Sequence, residues 1–247
     1  MNKPILGIIG GVGPLATAYF MEMLIKKTPA TSDQDNMPMI VFNDPQIPDR
    51  TAYILDHDRP NPQPEMVKVA RWLQDAGADY LAIACNTAHY FYAAIDDAVD
   101  IPVVNIMEET SRHIAEKVGH GGRVGLMATE GTVRSEVFQG YFKAMGLECV
   151  YPDEADQAQV SSLIYDGVKA NADYDPGDLL DIAGRLHGAG CDAVVCGCTE
   201  LSVIYQDLLD DKTQTVPCWL FDSLDILAER CVQLYLWARE AGGDIKM

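Results

Sequence analysis

Residues 76–87 read Ala76-Gly77-Ala78-Asp79-Tyr80-Leu81-Ala82-Ile83-Ala84-Cys85-Asn86-Thr87, and residues 189–200 read Ala189-Gly190-Cys191-Asp192-Ala193-Val194-Val195-Cys196-Gly197-Cys198-Thr199-Glu200. Each has a glycine turn, an aspartate, a short apolar run and then a cysteine with small polar neighbours. Nine positions separate Ala76 from Cys85 and nine separate Ala189 from Cys198, so an ungapped alignment sets the two cysteines opposite each other. Thr87 and Thr199 then fall one step apart. Such a run, bounded by turn residues, reads as a buried strand of a parallel sheet.

The same grammar extends outward. Ile5–Ile9 is a strand candidate, and Pro14 suits the first turn of a following helix with Leu15, Tyr19, Phe20, Met23 and Leu24 on one face. Met39–Phe42 reads as a second strand, Tyr80–Ala84 as a third and Ile101–Val104 as a fourth. Met66, Val69, Ala70 and Leu73 mark a helix ending near Gly77. Val124–Met127 restarts the plan, Leu179, Leu180, Ala183 and Leu186 mark a helix, and Ala193–Cys196 is a strand. Gly7 matches Gly125 and Gly13 matches Gly131 at the same offset. Alternating strands and helices point to parallel βαβ units, here used twice.

The expected fold is therefore α/β: two pseudo-symmetric three-layer lobes with central parallel sheets and a cleft between them. Residues 1–104 plus 218–247 are assigned to the first lobe and 105–217 to the second. Pseudo-symmetry would set the two equivalent thiols facing each other across that cleft, at strand ends where open α/β sheets bind ligands.

Bulk properties narrow the function. With 247 residues, 48% hydrophobic and 22% charged, the chain can bury one large core or two small ones. A formal net charge of -19 repels phosphate backbones and anionic lipid, which argues against nucleic acid and membranes as partners. Neither a secretory leader nor an apolar stretch of membrane-spanning length is visible, so a cytoplasmic setting is expected. Seven cysteines in such a chain start as free thiols. A zinc site at Cys191, Cys196 and Cys198 lacks the paired spacing and a fourth ligand, so no metal is expected. Cys149, Cys191, Cys218 and Cys231 read as filler.

Cys85 and Cys198 each stand where a helix should begin after a strand, which favours the thiolate and would lower the thiol pKa. Small polar residues there, Asn86 and Thr87 or Thr199, can cap the helix and present N–H groups to an anion. Buried structural cysteines would also satisfy either position alone; the duplication favours chemistry. Thr129-Glu130-Gly131-Thr132 follows the first strand of the second half, where a polar loop would border a cleft. Capping is the plainer role for those threonines, and the two are compatible.

Gly10-Gly11-Val12-Gly13-Pro14-Leu15-Ala16-Thr17, Asn43-Asp44-Pro45-Gln46-Ile47-Pro48-Asp49-Arg50-Thr51, the two cysteine motifs, Ile106-Met107-Glu108-Glu109-Thr110 and Tyr165-Asp166-Gly167-Val168-Lys169 run nearly the whole chain in order. Together they resemble the aspartate/glutamate racemase family, and within it the aspartate racemases. The resemblance implies a cofactor-independent racemase, a homodimer, and Cys85 and Cys198 as an acid/base pair. It implies that Val12, Asn86, Thr87, Thr129, Thr132 and Thr199 help hold a small acidic amino acid, and that Arg50 and Lys169 handle its charge. It also implies that the last helix, with Leu224, Leu227, Cys231 and Leu234 on one face, packs back on the first lobe. Glu200, which could orient the substrate ammonium or only cap a helix, stands where glutamate racemases tend to have histidine, which favours aspartate.

From the residues alone, Lys169 reads as a solvated helix residue and His89 as a helix-face residue. Arg50, in a proline-bracketed loop, is a candidate carboxylate clamp. Three other readings compete. A nucleotide-binding dehydrogenase would use Gly11, Gly13 and Ala16, but Asp44 lies past the second strand in a proline-rich loop. A non-catalytic amino-acid sensor would not need both thiols. Hydantoin racemases, maleate isomerases and arylmalonate decarboxylases share the superfamily, and the Arg50 and Lys169 blocks favour an amino-acid dicarboxylate over their substrates.

Overall fold

The computed structural model describes residues 3–213, 215–241 and 245. The chain divides into two compact units, Met1–Ile106 with Asp225–Met247, and Met107–Leu224. The first contains β1 (Leu6–Gly10), α1 (Pro14–Lys27), β2 (Met39–Asn43), α2 (Arg50–Leu55), α3 (Gln63–Asp75), β3 (Tyr80–Ile83), a 3-10 helix (Thr87–Phe91), α4 (Tyr92–Asp96) and β4 (Val103–Val104). At the passage into the second unit lies α5 (Ile106–Val118). There follow β5 (Arg123–Met127), α6 (Glu130–Arg134), α7 (Val137–Ala144), β6 (Glu148–Val150), α8 (Glu154–Ser162), a π-helical segment (Leu163–Val168), α9 (Pro176–Gly188), β7 (Ala193–Cys196), α10 (Thr199–Asp210) and β8 (Leu220–Asp222). The chain then returns along α11 (Ser223–Ala241).

Each unit has a four-stranded parallel sheet flanked by helices, in the orders β2-β1-β3-β4 and β6-β5-β7-β8. The duplication extends to single bonds. Asp79 accepts from Ile5 N–H at 2.7 Å and returns a bond to its carbonyl at 2.8 Å; Asp192 does the same with Arg123, at 2.8 Å both ways. A backbone N–H to a carboxylate is a charge-assisted bond of about 1.5–3 kcal/mol, so each aspartate fixes the strand register next to it. Gly77 and Gly190 turn the chain from helix to strand with φ of 96° and 93°, a conformation closed to most other residues.

Close packing explains a second pair of glycines. A Cβ on Gly7 would meet the Leu73 Cβ of α3 at 3.3 Å, and one on Gly125 would meet the Leu186 Cβ of α9 at 3.2 Å. Both first strands therefore accept a helix at the same depth.

Several expectations shift. The first helix buries Ala16, Thr17, Phe20, Met23 and Leu24, while Leu15 is half exposed and Tyr19 sits at the margin. The expected boundary at 217/218 precedes β8, which pairs with β7 and so goes with the second sheet. From Asp225 onward α11 belongs with the first unit: Leu227, Cys231 and Leu234 are buried, Tyr80 Oη donates to the Cys231 carbonyl at 3.0 Å, and Lys27 pairs with Asp225 at 2.8 Å. Cys191 and Cys231 are buried and Cys149 partly so, but Cys218 is exposed and fills nothing. Among the described residues no helix is long and apolar enough to cross a membrane.

Candidate active site

Both cysteines follow the third strand of their sheet, and both are buried. Cys85 is 6% exposed in an apolar cluster with Val12 and Ile47; Cys198 is 3% exposed in the corresponding cluster of the second unit. The segments after them differ. Cys198 is the N-cap of the regular helix α10, whereas Asn86 and Thr87 enter a 3-10 turn before α4 begins. Neither start has a side-chain cap, so the expected capping by Asn86 does not occur.

Around Cys198 the geometry is well defined. Its thiol donates to Glu200 Oε2 at 2.9 Å, and Glu200 Oε1 lies 4.0 Å from Lys169 Nζ. Lys169 follows the π-helical segment and sits over the Tyr165 ring, 4.5 Å from its centroid. Lys169 is exposed, as a solvated residue would be, yet its ammonium reaches toward Glu200 from the end of a helical irregularity of a kind that often marks functional positions. The Thr199 hydroxyl is buried and makes no hydrogen bond among the described residues.

The expected lowering of the thiol pKa fails at Cys198. Burial raises it well above the ordinary thiol value, the Glu200 carboxylate raises it further, and Lys169 works in the opposite direction. Removal from water and an adjacent carboxylate outweigh the helix terminus. Glu200→Gln is therefore expected to lower the Cys198 pKa and Lys169→Met to raise it. The pH dependence of thiolate ultraviolet absorbance, in a Cys85→Ser background, checks both directions, and a titration unmoved by Glu200→Gln would sink this account of the carboxylate.

Arg50 occupies the first turn of α2, behind the Asp49 N-cap that accepts from Ala52 N–H at 2.7 Å. Sequence placed it in a loop; the short helix turns its guanidinium inward instead. It is 7% exposed and donates from Nη1 to the carbonyls of Ile47 at 3.2 Å and Pro48 at 3.0 Å. Its Nε makes no hydrogen bond, and no carboxylate pairs with it among the described residues. A buried guanidinium with donors to spare is suited to an anionic partner.

Val12 lies in the turn after β1. Gly11 N–H donates to the Thr17 hydroxyl at 3.1 Å, which donates to the Gly13 carbonyl at 2.9 Å. In the second unit Thr129 caps α6 by accepting from Thr132 N–H at 3.2 Å, and the two hydroxyls lie 3.1 Å apart. Thr129 is the capping residue, just past the carboxyl end of β5, and Thr132 lies in the first turn of α6; both are buried.

His89, set aside in sequence, is fully enclosed. Ile106 N–H donates to Nε2 at 3.2 Å, which leaves Nδ1 as the protonated nitrogen, donating to the Cys85 carbonyl at 2.9 Å. Burial pushes its pKa down to about 4, so the ring is neutral at ordinary pH.

Within the first unit, then, Val12, Cys85 and the Ile47 that anchors Arg50 come together. In the second, Cys198, Thr199, Glu200 and Lys169 do.

The family described as Asp/Glu/Hydantoin racemase matches residues 9–231. The broad specificity amino-acid racemase RacX of Bacillus subtilis is 28% identical over 235 residues, spanning 94% of this chain and 98% of that protein. Among solved structures, Picrophilus torridus aspartate racemase superposes with a TM-score of 0.78 at 28% identity, over 98% of this chain and 96% of that one. Glutamate racemase from Francisella tularensis, solved with D-glutamate, shares the fold with a TM-score of 0.64 at 18% identity, over 98% and 82%.

Proposed function

The chain belongs to the Asp/Glu/Hydantoin racemase family of amino-acid racemases, and from that premise we propose that it interconverts L- and D-aspartate without a cofactor, Cys85 and Cys198 being its acid and base. The observation that carries this reading is the equivalence of the two thiols, each buried at the carboxyl end of the third strand in identically ordered sheets.

In the proposed reaction one cysteine, as thiolate, takes the α-proton from one face of the substrate. The other, as thiol, delivers its proton to the opposite face. Protonation states are exchanged after each turnover, so the reverse reaction uses the same pair with roles swapped. The 2.9 Å contact from the Cys198 thiol to Glu200 Oε2 supports reading Cys198 as the partner that starts protonated. Acid/base work contributes only about 10²–10⁴-fold, so donors for the developing enolate must add to it. The Thr199 hydroxyl is one such donor, and Val12, Asn86, Thr87, Thr129 and Thr132 are assigned to holding the amino acid. Arg50 takes the distal carboxylate, and Lys169 with Glu200 balances charge beside Cys198.

Aspartate is favoured by the likeness to the Picrophilus torridus protein over nearly the full length of both chains. The comparable coverage of RacX supports broad specificity as the second reading. The same family resemblance supports a homodimer working in the cytoplasm. Incubation with L-aspartate and, separately, L-glutamate, followed by chiral separation, tests the proposal. D-Aspartate should form faster than D-glutamate; equal rates would favour the second reading, and no racemisation of either would overturn the first.

A further inference from the structure

The residue four positions after each cysteine, His89 or Ser202, ties the cysteine turn to the end of the fourth strand of its own unit. The strand pairings make the two arrangements equivalent: Leu81 matches Val103 in one sheet, and its counterpart Val194 matches Leu220 in the other. In the first unit one imidazole spans the whole distance, from the Cys85 carbonyl to Ile106 N–H. In the second, a shorter side chain needs a partner. Ser202 N–H donates to the Cys198 carbonyl at 3.3 Å, and its hydroxyl donates to Asp222 Oδ1 at 2.5 Å. That carboxylate oxygen also accepts from Leu224 N–H at 3.3 Å.

Ile106 is the last residue of the first unit before the chain enters the second, and Leu224 is the last of the second before it returns. Each cysteine turn is therefore bonded to a point where the chain passes from one unit to the other. His89, Ser202 and Asp222 are at most 3% exposed. Buried polar groups are costly unless bonded, so an apolar filler would pack these positions at less expense; what the polar groups add is a fixed backbone. The neutrality of His89 keeps its donor and acceptor ends in place across ordinary pH.

We propose that His89 and the Ser202–Asp222 pair are positioning residues, each setting the reach of one thiol by fixing its turn against the chain crossover. The inference rests on the two-thiol reading above and adds that the thiols are positioned independently, by different chemistry.

The enantiomers of threo-3-chloroaspartate provide the test. A base removes the α-proton, the C–H electrons form the double bond, and chloride leaves the β-carbon. The enamine tautomerises and water hydrolyses it to oxaloacetate and ammonium. One base suffices, so each enantiomer reports on one thiol, and Cys85→Ser and Cys198→Ser identify which. His89→Asn, which cannot reach Ile106, should slow the Cys85-dependent enantiomer in kcat by about tenfold or more, leaving the other within about twofold. Ser202→Ala should show the reverse, and it carries the test by itself if His89→Asn does not fold. Equal loss with both enantiomers, or no loss with either, overturns the inference while leaving the two-thiol reading intact. If the cysteine variants themselves slow both enantiomers alike, the reading falls and the inference with it.

Discussion

Replacing Cys85 or Cys198 by serine is expected to reduce racemisation by about 10³-fold or more, with the fold unchanged. The expectation follows from proton affinity. A serine hydroxyl gives up its proton far less readily than a thiol, so either variant lacks the base for one direction and a matched acid for the other. General acid/base catalysis is worth about 10²–10⁴-fold for each group, and the two groups work in series. The structural cost should be small, because serine is close in shape and each site is an enclosed strand end, with Glu200 available to accept from a hydroxyl at position 198. Placing a hydroxyl in the thiol's position costs on the order of 1 kcal/mol when it can still donate to a neighbour. Circular dichroism and urea unfolding establish integrity, and chiral chromatography establishes the rate. Near-normal turnover in either variant would contradict the account.

The second large effect is expected at Arg50. Arg50→Ala should lower kcat/KM for aspartate by about 10²–10³-fold, the range for losing one partner of a buried charge pair at roughly 3–4 kcal/mol. Arg50→Lys should recover only part, since an ammonium keeps the charge and loses the planar fork. The native guanidinium also holds the Ile47 and Pro48 carbonyls, so some loss of stability will accompany the alanine variant. Specificity separates the two effects. If Arg50 grips the distal carboxylate, turnover of a neutral amino acid should fall much less than that of aspartate. If all substrates fall together, the residue supports the loop and the clamp lies elsewhere.

Much of the fold could be read in advance because the duplicated turns are chemically demanding. A glycine at positive φ followed by an aspartate that grips the neighbouring strand tolerates few substitutes, so Gly77-Ala78-Asp79 and Gly190-Cys191-Asp192 remain recognisably alike. The edge strands of the second sheet were harder. Glu148–Val150 and Leu220–Asp222 are three residues each, too short for a periodic signal, and only their pairing with β5 and β7 makes them strands.

The site divides along the same line. The residue types were legible; their microenvironments were not. A helix terminus can be inferred at Cys198, but the burial that raises the Cys198 pKa, and the inward turn of Glu200 that raises it further, depend on packing and side-chain direction. Lys169 is brought to that carboxylate by a π-helical segment that no amphipathic period announces. His89 and Ser202 acquire meaning only once the register of the fourth strands is known, because their partners lie 17 and 20 residues away.

The most direct test of the two-thiol claim is to run the L-aspartate incubation in heavy water and follow deuterium at the α-carbon of both enantiomers. The account predicts D-aspartate that carries deuterium from the first turnovers, while the remaining L-aspartate is almost unlabelled, because different groups remove and return the proton. Deuterium entering L-aspartate as fast as it enters D-aspartate would mean one base serves both faces. That result would contradict the proposed roles of Cys85 and Cys198.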